Sequence, residues 1–233
     1  MRRLETEFRV IACDLPGHGR RGGQSFELAA AADATAEVID ELAGGRALVV
    51  GLSLGGYVAM ELAARRPERV AGLVIAGASQ EPVGPWTVPY RLLAIALERA
   101  PLRLLETASD RFFRARYKPE IADAVMADRY SPRGGAVALR TILGQRFRPR
   151  LASYPGPVLI LNGQLDPVFR AGARAFLEVS RNGRLKVLPR ATHLSNLDRP
   201  SAFAAAVREF ARDVFDTPGA RPVRGSSGDP VLD

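Results

Sequence analysis

The chain has 233 residues, enough for one domain with a full hydrophobic core. With 47% hydrophobic and 25% charged residues it has the composition of a soluble globular protein, and no apolar run reaches the roughly 18 residues of a membrane span. The single cysteine, Cys13, excludes an internal disulfide framework and a cysteine-based zinc cluster.

The net charge of +8 raises the question of nucleic-acid binding. The basic residues are almost all arginines spread along the chain, whereas a nucleic-acid footprint usually concentrates them on one element or tail. We therefore expect no nucleic-acid partner. The densest stretch, residues 111–118, has two interpretations: the solvated face of an amphipathic helix, or part of a lid that attracts an anionic substrate or carrier.

Apolar runs alternate with helix-like stretches along the chain, a pattern that predicts an α/β fold with a mostly parallel sheet and flanking helices. The predicted strands are short and mostly apolar, and they cover residues 8–13, 47–50, 70–76, 158–161 and 185–188. The helices predicted to flank this sheet cover residues 26–42, 57–65 and 200–215.

The stretch from residue 81 to 150 differs from its surroundings, because helical periods broken by prolines and glycines replace the strand pattern. We predict that residues 81–150 form a helical cap inserted into a core made of residues 1–80 and 151–216. The last segment, residues 217–233, is rich in Pro, Gly and Ser with little to bury, and disorder is expected there.

A candidate nucleophile stands where an apolar strand runs into a helix. Ser53 lies in the sequence Gly51-Leu-Ser-Leu-Gly55, which fits a nucleophile elbow. A hydroxyl is a poor nucleophile at neutral pH unless a base takes its proton and donors stabilise the oxyanion. The amide of Leu54, at the start of the following helix, would be one such donor.

The candidates for base and acid follow two later strands. His193 comes after the strand at 185–188, whereas the only other histidine, His18, lies before the serine in a tight Pro-Gly-His-Gly turn where a structural role is expected. Asp166 comes after the strand at 158–161 and could reach His193 and hold its tautomer. Glu81, after the preceding strand, is the weaker alternative for the acid.

Four segments together resemble the α/β-hydrolase fold superfamily, serine hydrolases with a small helical cap. The segments are residues 9–19, 51–56, 157–166 and 192–196. The resemblance implies a catalytic triad in the chain order serine, aspartate, histidine, and it implies no metal and no organic cofactor. Thr192 is a small departure, because the family often has glycine before the histidine.

A larger departure lies at the front of the chain. The resemblance implies three further strands, one of them between the strands at 8–13 and 47–50, and a loop after it that donates the second oxyanion-hole N–H. Only seven residues precede Phe8. We expect an N-terminally truncated form of the fold, whose natural product starts upstream; the other interpretation is a degenerate relative without activity.

The predicted function is a cytoplasmic serine hydrolase that cleaves a small or medium, partly apolar ester or related acyl compound through an acyl-enzyme. A small-molecule substrate is the expected partner, a membrane is not, and a homodimer stays open. Two alternatives use the same fold: a catalytically impaired binding protein, and an acyltransferase with the same triad.

Overall fold

The computed structural model describes residues 3–127 and 132–216, and its centre is a four-stranded parallel sheet in the order β1-β2-β3-β4. The strands are β1 (Ala47–Leu52), β2 (Val70–Ala76), β3 (Pro157–Gly163) and β4 (Asn182–Leu188). All four were predicted: β2 has the predicted ends, and the ends of the other three strands differ from the prediction by at most three residues. Parallel neighbours need crossover connections, and helices supply each of them here.

Ten α-helices accompany the sheet in the described residues. They are α1 (Leu28–Leu42), α2 (Leu54–Arg65), α3 (Thr87–Arg99), α4 (Leu102–Arg116), α5 (Pro119–Ala127), α6 (Pro132–Ile142), α7 (Arg148–Ser153), α8 (Pro167–Val179), α9 (Ser195–Asp198) and α10 (Pro200–Asp216). Helix α2 begins three residues before its predicted start, because the helix follows Ser53 directly. No helix in this part of the chain is both long and apolar enough to cross a membrane.

The core has two layers, one on each face of the sheet. Strand β2 is buried along its whole length, so its apolar side chains supply both layers. One layer includes Met60 and Phe176 from helices α2 and α8, and the other includes Phe210 and Val214 from α10. Burial on both faces explains why β2 and β3 are apolar runs. Strand β4 is mostly exposed, and its apolar residues alternate with Arg184 and Lys186.

The predicted strand at Phe8–Cys13 is wrong: the segment runs without strand pairing. A strand needs a neighbour that satisfies its backbone groups. The resemblance implies a further strand between this segment and β1, and the described residues contain none. Strand β1 consequently ends the sheet there, with Val50 43% exposed.

Residues before this segment lie against the last helix. Glu7 accepts hydrogen bonds of 2.6 Å from both Arg208 and Arg212 of α10, and Leu4 packs against the core layer of that helix. Ionic contacts and a single apolar side chain therefore hold the start of the described chain.

Helices α3 to α7 fill the long connection between β2 and β3, and no strand occurs in its described residues. The division into a core of 1–80 and 151–216 and a cap of 81–150 stays a prediction. The predicted disordered tail, residues 217–233, lies outside the described residues.

Candidate active site

Ser53 occupies a sharp turn between β1 and α2. Its φ of 52° and ψ of −117° lie in a region that side chains other than glycine rarely adopt. A Cβ on Gly51 would lie 2.2 Å from the carbonyl oxygen of Gly55, and a Cβ on Gly56 would lie 2.4 Å from the Cβ of Ala78. These glycines are therefore required by close packing around the turn that presents Ser53.

Leu54 is the first residue of α2, so its N–H has no acceptor within the helix. The amides of Gly56 and Tyr57 bond back to the carbonyl oxygen of Ser53, at 2.9 and 3.3 Å. The Leu54 amide stands beside the serine at the positive end of the helix dipole, where an oxyanion donor is needed. We identify no second donor among residues 3–127 and 132–216.

Asp166 and His193 meet at the carboxyl ends of β3 and β4. His193 Nδ1 lies 3.0 Å from Asp166 Oδ2, and since a carboxylate only accepts, the imidazole N–H donates. The Asp166 side chain is 5% exposed and that of His193 is 36% exposed. The carboxylate is thus shielded from water, whereas the imidazole keeps a face open to a substrate.

Two further residues hold the His193 ring. The ring of Phe169 stacks on it with 4.8 Å between centroids and 19° between planes. On another side, a Cβ on Gly77 would lie 2.9 Å from His193 Nδ1. The imidazole therefore fits between an aromatic face and a glycine backbone.

Ser53 and His193 lie against the same piece of backbone. The Ser53 N–H donates to the carbonyl oxygen of Ala76 at 2.8 Å, and the next residue, Gly77, lies beside the His193 ring, which a Cβ added there would meet. The Ser53 hydroxyl makes no hydrogen bond to any described residue. Hydrogen bonds between a nucleophile and its base are often long in unliganded enzymes.

Glu81, the alternative candidate for the acid, and His18, the other histidine, both have hydrogen-bond partners elsewhere in the structure. Glu81 is buried and accepts 2.9 Å bonds from the amides of Phe147 and Arg148, so it is engaged at the start of α7. His18 Nδ1 lies 3.0 Å from the carbonyl oxygen of Pro16 inside its turn. Among the described residues, His193 forms no hydrogen bond or ion pair with either of them.

Comparison with known proteins identifies the family to which the fold and the candidate site belong. A model of the alpha/beta hydrolase family matches residues 1–206. The chain belongs to the alpha/beta hydrolase family. The predictions of family and of an α/β fold with a parallel sheet are therefore confirmed, and the protein is an enzyme of the α/β-hydrolase type.

Among curated members of the family, a pimeloyl-[acyl-carrier protein] methyl ester esterase of Neisseria meningitidis serogroup A is 32% identical, with 97% of this chain and 75% of the relative covered. A 3-oxoadipate enol-lactonase 2 of Acinetobacter baylyi is 27% identical, with 88% and 79% covered. Among solved structures, a thermophilic esterase from Thermogutta terrifontis superposes with a TM-score of 0.74 at 26% identity, covering 91% of this chain and 82% of that one.

In this alpha/beta hydrolase a pair of tyrosines joins α3 to the helix that follows the serine. Tyr57 of α2 donates a 2.5 Å hydrogen bond to the carbonyl oxygen of Gln80, and its hydroxyl lies 3.0 Å from that of Tyr90 in α3. Burial is the main reason that the pKa of both phenols is raised, so both stay neutral. The first helix of the long β2–β3 connection is therefore attached one turn from Ser53.

The sequence analysis missed three residues around the candidate site: Gly77, Phe169 and Asp198. Gly77 and Phe169 come after the ends of strands β2 and β3. Because the candidate site lies beyond the strand ends, this position could have marked both residues as neighbours of the site. Asp198 follows His193 by five residues and carries no pattern of its own. In the described residues no three His, Cys, Asp or Glu side chains cluster as metal ligands.

Proposed function

We propose that the protein is a serine carboxylesterase in which Ser53 is the nucleophile, His193 the base and Asp166 the residue that orients the base. The observation that carries the proposal is the 3.0 Å contact of Asp166 with His193 at the sheet edge where Ser53 occupies a strained turn. The esterase and lactonase names of the relatives support an ester as the substrate.

In the proposed reaction His193 Nε2 takes the Ser53 proton while Oγ attacks the ester carbonyl carbon. The bond to the alcohol breaks, the alcohol oxygen receives the proton from His193, and an acyl ester of Ser53 remains. Water then attacks that ester with the same base and releases the acid. The Leu54 N–H stabilises the oxyanion in both steps.

A fluorophosphonate followed by intact-mass analysis and peptide mapping tests this proposal. We expect one adduct per chain on Ser53, and no adduct in the Ser53→Ala variant. The His193→Ala variant should lose labelling and turnover of a short-chain p-nitrophenyl ester by about 10³-fold or more, because the proposed reaction depends on His193 to take the proton.

Matched variants separate the site from general effects of substitution. Ser201→Ala changes an exposed serine at the start of α10, and His18→Ala removes the other histidine; both should keep wild-type labelling. Full esterase activity in Ser53→Ala would overturn the proposal. A folded chain that binds the ester and never turns it over would favour the impaired binding protein.

A second candidate function is hydrolysis of an ester borne by an acyl-carrier protein. It is favoured by the names of the curated relatives and by the surface of α4. Arg103, Leu104 and Arg111 are spaced to lie on one side of that helix, and all three are exposed. No described acidic side chain forms a salt bridge with Arg103 or Arg111.

Free arginines beside an exposed apolar side chain suit an acidic protein partner, because charge steers encounter and apolar contact adds affinity. We expect Arg103→Glu with Arg111→Glu to lower kcat/KM for a carrier-bound methyl ester by at least about 10-fold. The same variant should keep wild-type activity on the free methyl ester.

Arg174→Glu is the matched control. It reverses the charge of an arginine that is 90% exposed and belongs to a different helix, α8. It should leave both activities unchanged. Equal loss on carrier-bound and free ester in the double variant would exclude a carrier-docking role for this face of α4.

A further inference from the structure

Five hydrogen bonds converge on the carboxylate of Asp198. Its Oδ2 accepts from the Thr192 N–H at 2.6 Å and from the Thr192 hydroxyl at 2.5 Å. Its Oδ1 accepts from Arg116 Nε at 3.1 Å, Arg116 Nη2 at 2.8 Å and the Tyr117 hydroxyl at 2.7 Å. We call these four residues the Asp198 cluster.

The Asp198 cluster joins two parts of the chain that are 81 to 82 residues apart. Thr192 immediately precedes His193. Arg116 is the last residue of α4, and Tyr117 follows it. One carboxylate therefore connects the loop of the proposed base to the end of a helix from the β2–β3 connection.

Besides the Asp198 cluster, the C-terminal end of α4 has a salt bridge to α5, from Arg114 to Asp123 at 2.9 Å, and both of its side chains are at least half exposed. None of the residues of α4 is buried, and its apolar side chains Leu102, Leu104 and Phe112 are 45 to 60% exposed. The Asp198 side chain, in contrast, is 5% exposed. Arg116 is 39% exposed, so its bonds are shielded from water on the Asp198 side only. Charge-assisted hydrogen bonds are stronger than neutral ones, and five bonds to one carboxylate make the cluster a point of attachment for α4.

The carboxylate is ionised at neutral pH. Burial alone would raise the pKa of Asp198, but hydrogen bonds from Thr192, Tyr117 and Arg116 outweigh it, and the pKa is lowered overall. Burial and the neighbouring carboxylate raise the pKa of Tyr117, which stays a neutral donor. All five bonds therefore persist near neutral pH.

We propose that Asp198 is a positioning residue that fixes the backbone before His193 and couples the orientation of that imidazole to the placement of α4. The proposal rests on the proposed function only in naming His193 as the base. Asp166 and Phe169 hold the ring, whereas Asp198 holds the main chain that carries it. A displacement of α4 would then pull on Asp198 and turn the base.

A spectroscopic test reads the position of His193 directly. The chain has only two histidines, so selective ¹⁵N-histidine labelling gives two ring systems. In the wild type we expect a slowly exchanging, downfield Nδ1–H signal from His193, because it is bonded to Asp166. In Asp198→Asn only one side-chain oxygen remains as an acceptor, so the residue cannot accept from Thr192 and from the Arg116–Tyr117 pair at once. This variant should broaden or abolish the His193 signal and leave that of His18 unchanged.

A kinetic test uses the rate of fluorophosphonate labelling of Ser53. Misplacing a reacting group by about 1 Å can cost about 100-fold, and we expect a loss of that order in Asp198→Asn. The paired variant Arg116→Gln with Tyr117→Phe frees α4 and leaves the Thr192 bonds, so a loss of about 10-fold is expected. Combining the two should give less than the product of the separate losses.

Controls separate positioning from loss of fold. Glu209→Gln removes an exposed partner of Lys186 on α10 and should keep the signal, the rate and the melting temperature. If Asp198→Asn does not fold, Thr192→Val removes a single bond with little change of shape and should broaden the same signal.

Three results decide the proposal. An unchanged His193 signal and labelling rate in folded Asp198→Asn would overturn it, and fully multiplicative losses would overturn the coupling to α4. A wild-type chain whose Ser53 never reacts would refute the proposed function instead, and the His193 signal would still decide the role of Asp198.

Discussion

At the scale of single residues, the candidate site depends on Gly77, whose lack of a side chain leaves room for the His193 ring. Gly77 has a φ of +54°, and its α-carbon faces the His193 imidazole. A side chain there would be strained by the φ value and would also meet the ring. The two effects can be separated, because Gly44 has a similar φ of +65° and a Cβ added to it would meet nothing within 4 Å.

We predict that Gly77→Ala lowers the rate of Ser53 labelling by about 10-fold or more, because the added methyl displaces His193. Gly44→Ala should carry a similar backbone strain of about 1–2 kcal/mol and leave labelling unchanged. Thermal unfolding and labelling kinetics of both variants check this. Equal labelling in the two variants would mean that His193 does not need the space beside Gly77.

Asp166 supports a second prediction at this scale. Asp166→Asn keeps the size of the side chain but can favour the wrong tautomer of His193, with the proton on Nε2. Turnover of a short-chain ester should fall by about 10²–10⁴-fold while KM changes little. Asp33→Asn, which changes a partly exposed carboxylate of α1 paired with Arg65, is the control and should match the wild type. A large rise in KM with unchanged kcat would argue against an orienting role.

At the scale of elements, Glu81 connects the end of β2 to the start of α7. Its carboxylate bonds the first free amides of that helix and the Arg148 side chain at 3.0 Å. Burial alone would raise the pKa of Glu81, but the bonds with Arg148 and the Phe147 amide outweigh it and lower the pKa overall. The charged form therefore stabilises the folded state.

We predict that Glu81→Gln lowers the free energy of unfolding at pH 7 by about 1–3 kcal/mol. A lowered pKa in the folded state means that this stabilisation is present above the ordinary pKa of 4.5 and is lost as the pH falls through the folded value. The difference between wild type and variant should thus shrink below about pH 4.5. Glu178→Gln, 67% exposed, is the control for urea titrations at both pH values.

At the scale of the whole molecule, stability comes from the two core layers and not from the exposed helix α4. Phe210 is 3% exposed in the layer beneath α10, whereas Phe112 of α4 is 50% exposed. The same chemical change should therefore have very different effects at the two positions.

We predict that Phe210→Ala destabilises the protein by about 3–5 kcal/mol, and Phe112→Ala by about 0.5 kcal/mol or less. Denaturant unfolding followed by circular dichroism measures both. Similar losses in the two variants would mean that α4 is packed more closely than its exposure indicates.

Local patterns in the sequence were enough to predict the four strands of the sheet and the turn at Ser53. Short apolar runs predict strands because both faces of a parallel sheet are buried, and this local property needs no knowledge of neighbours. The elbow around Ser53 is likewise a local pattern, since Gly51 is needed by its close contact with Gly55, a few residues further on. With two histidines in the chain, composition alone left few candidates for the proposed base.

The pairings, in contrast, depended on tertiary packing. Asp166 and Glu81 both follow strands, and it is packing that brings one carboxylate to His193 and the other to α7. The segment at 8–13 has the pattern of a strand but no neighbour to pair with, and strand formation depends on that neighbour. The contacts of Asp198 with Arg116 and Tyr117 join residues 81 to 82 positions apart, which no local pattern can indicate because the fold alone sets such distances.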